Sequence, residues 1–386
     1  MIKQPKNSEL FHILFKLPII QRFGDFSPRY QDSTASHSYR VAVLSLLIGL
    51  TENIKYNRNL DLNKIVCRAV FHDLNEVITG SIKHNTKKNE IVGDLIKDIE
   101  KEASESIVGF LSPSLQNYFY DYIVLAEDST PEGRIVKLAD TMDALLFSVR
   151  EQKAYNRYEF PRVQKESKRE LMNSEFESIK EMVEVLGDFQ SKYHKFLMYV
   201  LKLDEIDRWS LQFNTYKDQD ASHTFRCAAL GIFFAHYEKE KHGTELDIQR
   251  LVGKILFHDL PETITGDIPG PLKHKNERRS KAFAKYEESV AEDFVSWAPE
   301  HLREHLEDYL INAKDDTPEG IRVDIVDKID ALIKSQLEMN RGSRVYEEKF
   351  KGQLNKLQAK YFENPGVQFF LATILHDLYF ESEFVN

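Results

Sequence analysis

The chain has 386 residues, a formal net charge of −10, 42% hydrophobic and 30% charged residues. That balance excludes a disordered chain, and the acidic surplus disfavours a nucleic-acid polymer as partner, because phosphate neutralisation selects basic surfaces. The apolar run Val41–Leu50 already contains Ser45 and Gly49, far from the roughly 20 apolar residues of a bilayer span. The start, MIKQPKNSELFHILF, lacks the basic stretch and apolar core of a signal peptide. Cys67 and Cys227 alone cannot frame a disulfide-stapled fold. A cytoplasmic protein with no membrane attachment is expected.

Taken in order, the chain is written twice. Ala35-Ser36-His37 recurs as Ala221-Ser222-His223, each followed by an arginine, Arg40 and Arg226. Phe71-His72-Asp73-Leu74-Asn75-Glu76-Val77-Ile78-Thr79-Gly80 recurs as Phe257-His258-Asp259-Leu260-Pro261-Glu262-Thr263-Ile264-Thr265-Gly266. Thr130-Pro131-Glu132-Gly133 recurs as Thr317-Pro318-Glu319-Gly320, and Asp140 and Asp143 recur as Asp327 and Asp330. The nearly constant spacing indicates duplication and divides the chain into residues 1–193 and 194–386. The junction has no Pro/Gly/Ser-rich signature, so packed rather than loosely tethered copies are expected.

Within each copy the apolar positions follow a helical period: Val41, Leu44, Leu47 and Ile48; Ile65, Ala69 and Leu74; Ile329, Leu332 and Ile333. Prolines punctuate these runs and alternating strand patterns are scarce. The expectation is an all-α protein of two tandem helical bundles. Thr130 and Thr317 read as N-caps with proline at the first helical position, and Asp128 and Asp316 as turn residues before them. The lysine-rich stretches Lys83–Lys88 and Lys273–Lys281 read as solvated faces or loops.

The most informative repeated residues are polar. Both copies keep His37, His72, Asp73 and Asp140, or His223, His258, Asp259 and Asp327, in one order. Two imidazoles and two carboxylates suit a divalent cation such as Mn, Co, Fe, Mg or Zn, one per copy. Such an ion can polarise a phosphoryl oxygen and activate water. Glu76 and Glu262, four residues after a histidine, share its helical face and are candidates for proton transfer. Asp143 and Asp330 are candidate acceptors behind a ligand histidine. His376-Asp377 has no partner in the first copy and is expected to be structural.

The order His, His-Asp, Asp resembles the HD superfamily of metal-dependent phosphohydrolases. Arg208-Trp209 ahead of His223, with the run His258-Asp259-Leu260-Pro261-Glu262-Thr263-Ile264-Thr265-Gly266-Asp267-Ile268-Pro269-Gly270-Pro271-Leu272-Lys273, resembles the YfbR-type 5′-deoxynucleotidases. The resemblance covers most of both copies. It implies two HD-domain bundles, metal ligation by His223, His258, Asp259 and Asp327, a role for Co, Mn or Cu, and hydrolysis of 2′-deoxynucleoside 5′-monophosphates. Asp267 would help test the sugar. Arg208 is a phosphate clamp by virtue of its planar fork, Trp209 a candidate platform for base or sugar, and Lys273 a further phosphate contact. In the first copy Arg22 matches Arg208, but Phe23 replaces Trp209 and Ser81 replaces Asp267. Altered or lost activity is expected there. Rival readings are a deoxynucleoside triphosphate hydrolase and a nucleotide-binding regulator with one or both sites inert; homo-oligomer formation is left open.

Overall fold

The structure, a computed structural model, describes residues 6–153, 159–273 and 275–379. As expected, helices dominate. In the first copy α1 (Ser8–Lys16) leads to α2 (Thr34–Lys55), α3 (Leu62–Phe71), the single turn α4 (Glu76–Thr79) and α5 (Pro131–Lys153). The second copy repeats the order as α6 (Lys192–Lys202), α7 (Asp220–His242), α8 (Ile248–Phe257), α9 (Glu262–Thr265) and α10 (Pro318–Asn340).

Side-chain caps set several of these starts. Ser33 accepts from the Ser36 amide to open α2, Asp61 from Lys64 to open α3, and Asp247 from Arg250 to open α8. Thr130 and Thr317 cap α5 and α10 as expected, accepting from Gly133 and Gly320. The turn aspartates are Asp128 and Asp315, each accepting from the threonine amide two residues on. Asp315, rather than Asp316, is therefore the counterpart of Asp128. A Cβ at Gly133 or Gly320 would collide with that same aspartate, which explains the glycine in both copies.

The two copies share one continuous core. From Thr34 to Glu52 every residue of α2 except those at its far end is buried, because α3 and α5 cover one side and α7 the other. Equivalent residues meet across this junction: Ser36 Oγ and Ser222 Oγ lie 3.4 Å apart, and Asn63 Oδ1 accepts from the Gln249 amide at 2.7 Å. Such self-matching contacts are those of a two-fold dimer joined into one chain. The first helix also crosses over: Phe11 of α1 packs edge-on against Phe233 of α7, ring centroids 5.2 Å apart. Ser8 donates to Asp377 at 3.0 Å, so His376-Asp377 lies on this peripheral seam, as a structural assignment requires. Among the described residues no helix is long and apolar enough to cross a membrane.

One junction contact is pH-sensitive. Tyr122 of the first copy and His236 of α7 are 3.0 Å apart through Oη and Nε2, and Tyr118 stacks on the same imidazole at 4.1 Å. Burial, then Lys239, push His236 down to about 4. The unfolded chain takes up this proton near pH 6.5 while the native protein does not, so stability is complete above about pH 6.5 and is lost as pH falls towards 4. Replacing His236 with Gln is expected to flatten the pH dependence of chemical denaturation midpoints across that window. An unchanged slope would refute the assignment.

Candidate metal centres

Each centre is assembled from three helices. His37 sits in the first turn of α2, His72-Asp73 directly beyond α3, and Asp140 in α5; His223, His258-Asp259 and Asp327 occupy the matching places on α7, α8 and α10. The buried imidazoles are turned inward by what holds their far nitrogen. His72 Nδ1 lies 2.9 Å from the Ala69 carbonyl and His258 Nδ1 2.6 Å from that of Ile255. A carbonyl only accepts, so Nδ1 carries the proton and Nε2 offers its lone pair to the centre. His37 and His223 use carboxylates instead: Nδ1 is 2.7 Å from Asp143 and 2.6 Å from Asp330. Asp143 and Asp330 therefore occupy the supporting positions expected of them.

The inward atoms converge. In the first copy His37 Nε2 lies 3.2 Å from His72 Nε2, 3.4 Å from Asp73 and 3.1 Å from Asp140. In the second, His223 Nε2 lies 3.6 Å from Asp259 and 3.4 Å from Asp327, and His258 Nε2 lies 3.2 Å from Asp259. Ligand atoms of His223, His258 and Asp327 all fall within 4.8 Å of one another, as do those of His37, His72 and Asp73. His258 Nε2 is buried with no hydrogen-bond partner, the condition of a donor atom held for a cation. The donor set and its geometry fit a divalent ion in each copy. Replacing Asp330 with Asn is expected to weaken Co or Mn binding to the second copy about 10- to 100-fold in a metal titration; unaltered affinity would deny Asp330 that role.

A short backbone pairing that sequence patterns are too brief to reveal brings an arginine to each centre. Asp207-Arg208 pairs antiparallel with Asp218-Gln219, and a single bridge joins Gln21 to Ser33. Arg208 Nη1 lies 3.0 Å from Asp220 and 3.3 Å from Asp259; Arg22 Nη1 lies 3.3 Å from Asp73. The next residue adopts the left-handed conformation in both copies, φ 52° at Phe23 and 57° at Trp209, a costly shape for an aromatic residue. The rings point differently. Phe23 stacks on Phe147 at 5.2 Å inside an aromatic cluster, whereas half-buried Trp209 leans on Tyr346 at 5.5 Å.

The remaining predicted residues separate. Glu262 is half-buried beside the second centre and its Oε2 has no hydrogen-bond partner. Burial, then Asp259 and Asp220, raise its carboxyl well above the usual range, and Asp267 adds to the same effect. Glu76 is buried and accepts from Thr34 Oγ1 at 2.6 Å. Lys273 turns to Glu287 at 2.5 and 2.7 Å, and Lys87 to Glu100 at 2.8 Å. These lysines tie the loop after each short turn to the following helix.

The roles of several residues at the centres escaped sequence reasoning, even where the residues were seen to repeat. Arg40 and Arg226, both fully buried, brace the supporting aspartates: Arg40 Nε lies 2.6 Å from Asp143 and Arg226 Nε 2.6 Å from Asp330. Their other partners include Asp32 and Asp218, which also recur in register and were visible as repeats. Lys314 Nζ lies 2.6 Å from Asp327; Glu127 stands at the corresponding place in the first copy. Asp220 replaces Thr34. Both differences lie beside repeated motifs, next to Ala35-Ser36-His37 and Thr130-Pro131-Glu132-Gly133 and their counterparts, and that contrast was the available signal.

The family model described as 5′-deoxynucleotidase YfbR-like matches the chain twice, over residues 9–188 and 195–378. A 5′-deoxynucleotidase of Vibrio cholerae serotype O1 is 27% identical over 151 residues, 39% of this chain and 78% of that protein. One of Yersinia pestis is 31% identical over 150 residues, 39% of this chain and 76% of that protein. A crystal structure of an HD-domain phosphohydrolase from Listeria innocua aligns with a TM-score of 0.44 and 28% identity, covering 48% of this chain and 88% of that one. With both centres built from the same residue order and nearly the whole chain matched, the protein belongs to the YfbR-like family and is a phosphohydrolase.

Proposed function

We propose that this chain hydrolyses 2′-deoxynucleoside 5′-monophosphates to deoxynucleoside and phosphate, and that residues 194–386 are the catalytic unit while residues 1–193 have an altered or lost activity. The observation that carries this reading is the convergence of His223, His258, Asp259 and Asp327 beside Arg208 and an unpartnered Glu262 carboxylate oxygen. His223, His258, Asp259 and Asp327 would hold a divalent ion, of Mn, Co, Fe, Mg, Zn or Cu. When bound, that ion supplies Lewis-acid chemistry at a phosphoryl oxygen and makes water a better nucleophile.

The side chains supply the rest. The Arg208 guanidinium, braced by Asp220, presents its fork to two phosphate oxygens and offsets charge on the transferring group. Glu262 is placed to orient the attacking water or to exchange a proton with the leaving 5′ oxygen. Trp209 flanks the arginine and offers an apolar face to base or sugar, and Asp267 stands on the loop after Gly266 where a deoxyribose would be tested. In the first copy His37, His72, Asp73 and Asp140 would hold an ion, with Arg22 beside them. There Glu76 is occupied by Thr34, Phe23 is packed into an aromatic cluster, and Ser81 replaces Asp267. A phosphate-release assay with added metals tests the reading. Free orthophosphate from dAMP or dGMP is expected; tripolyphosphate from a deoxynucleoside triphosphate, with no turnover of monophosphates, would overturn it.

A further inference from the structure

The duplication supplies an internal control for one residue. Position 34 of the first copy and position 220 of the second are the first residues of α2 and α7, although Ser33 caps α2 through its side chain and Gln219 does not cap α7 in that way. Thr34 is buried and donates its hydroxyl proton to Glu76 Oε2 at 2.6 Å, so the glutamate is satisfied. In the second copy the donor is replaced by a third carboxylate. Asp220 is 0% exposed, and one carboxylate oxygen from each of Asp220, Asp259 and Glu262 lies within 4.8 Å of the others. Arg208 Nη1 reaches Asp220 Oδ1 at 3.0 Å and Asp259 Oδ2 at 3.3 Å, which leaves Asp220 Oδ2 and Glu262 Oε2 buried with no hydrogen-bond partner.

An aspartate in the first turn of a helix is often a simple favourable pairing with the helix dipole. That explanation accounts for the charge but not for two buried, unpartnered oxygens within one carboxylate cluster. Three carboxylates against one guanidinium leave an excess of negative charge in a desolvated place, where an unmatched charge is costly. We propose that Asp220, Asp259 and Glu262 form a second cation site in the C-terminal copy, sharing Asp259 with the histidine site and lacking a counterpart in the N-terminal copy. Its ligands are all carboxylate oxygens, which favour a hard ion, Mg²⁺ or Mn²⁺, over the softer ions that imidazole tolerates. The inference rests on Asp259 also serving the histidine site, and the two assignments fail separately in the following test.

Full-length protein is stripped with chelator and titrated with Mn²⁺, and bound ion per chain is counted from the loss of the free-ion electron paramagnetic resonance signal. Asp220→Thr installs the residue the first copy already uses at that helix start. It is expected to bind one equivalent fewer than the parent at saturation, and Glu262→Gln, of the same shape without the charge, is expected to do the same. Equal stoichiometry in the parent and in whichever of these two variants folds would overturn the second site. His258→Ala is expected to lower the count by removing the histidine site. If His258→Ala binds as the parent does while Asp220→Thr loses an equivalent, it is the histidine-site assignment that falls.

Discussion

Replacing Asp259 with Ala is expected to cut phosphate release from dAMP about 10³-fold, whereas Asp73→Ala leaves most of the activity. The loss follows from removing a ligand whose ion contributes several kcal/mol to the transition state, with each 1.4 kcal/mol worth about tenfold. Asp259 is also 3.3 Å from Arg208, so its removal frees the guanidinium that is meant to meet the phosphate. The contrast with Asp73 rests on charge around the first centre. Lys314 Nζ lies 2.6 Å from Asp327 in the second copy and offsets negative charge there. Glu127 takes that place in the first copy. Its side chain reaches solvent at the rim but is crowded by protein, and that crowding, then Asp140 and Asp73, push its carboxyl up to about 8. The first copy therefore lacks the ammonium that, in the second, helps to draw in an anionic phosphate monoester. Initial rates of orthophosphate release for the two variants decide the matter: equal losses in both, or a loss confined to Asp73→Ala, would refute the division of labour.

The largest expected effect on stability comes from Arg40. Its guanidinium is 0% exposed and meets Asp143 at 2.6 Å, Asp32 at 2.7 Å and Asp204 at 2.6 Å. Asp204 precedes the second copy's arginine strand, so this one side chain ties the first copy's histidine support to the opposite half. Truncation to Ala leaves three buried carboxylates without their shared counter-charge, with Arg22, Arg150 and His37 still near Asp32, Asp204 and Asp143, a defect that costs about 3–5 kcal/mol. For a chain of this size that corresponds to a fall in Tm of about 4–6 °C. Arg40→Lys is expected to recover only part of it, because a single ammonium cannot reproduce a fork shared among three carboxylates. Calorimetry of the parent, Arg40→Ala and Arg40→Lys measures this directly. A Tm for Arg40→Ala within about 2 °C of the parent would show that the network does not stabilise the junction.

The duplication, the all-α class and the ligand order were legible in the sequence because each is local or periodic. Helical spacing places Val41, Leu44 and Leu47 on a buried stripe wherever the helix goes, and the chemistry of cation binding restricts which side chains may stand at positions 37, 72, 73 and 140 and their repeats. Asp143 and Asp330 could be anticipated because three residues along a helix is one turn. The seam between Ser36 and Ser222 was not legible, since nothing in either segment tells which surface of α2 will meet α7. Nor was the fate of Lys273, whose partner Glu287 lies on another helix. Glu262 stands out in the sequence as a repeated candidate for proton transfer, whereas Asp220 looks like an ordinary aspartate at a helix start. Their meeting with Asp259 exists only once α7, α8 and α9 are packed, because the cost of an unmatched carboxylate is set by what surrounds it in space and not by its neighbours along the chain.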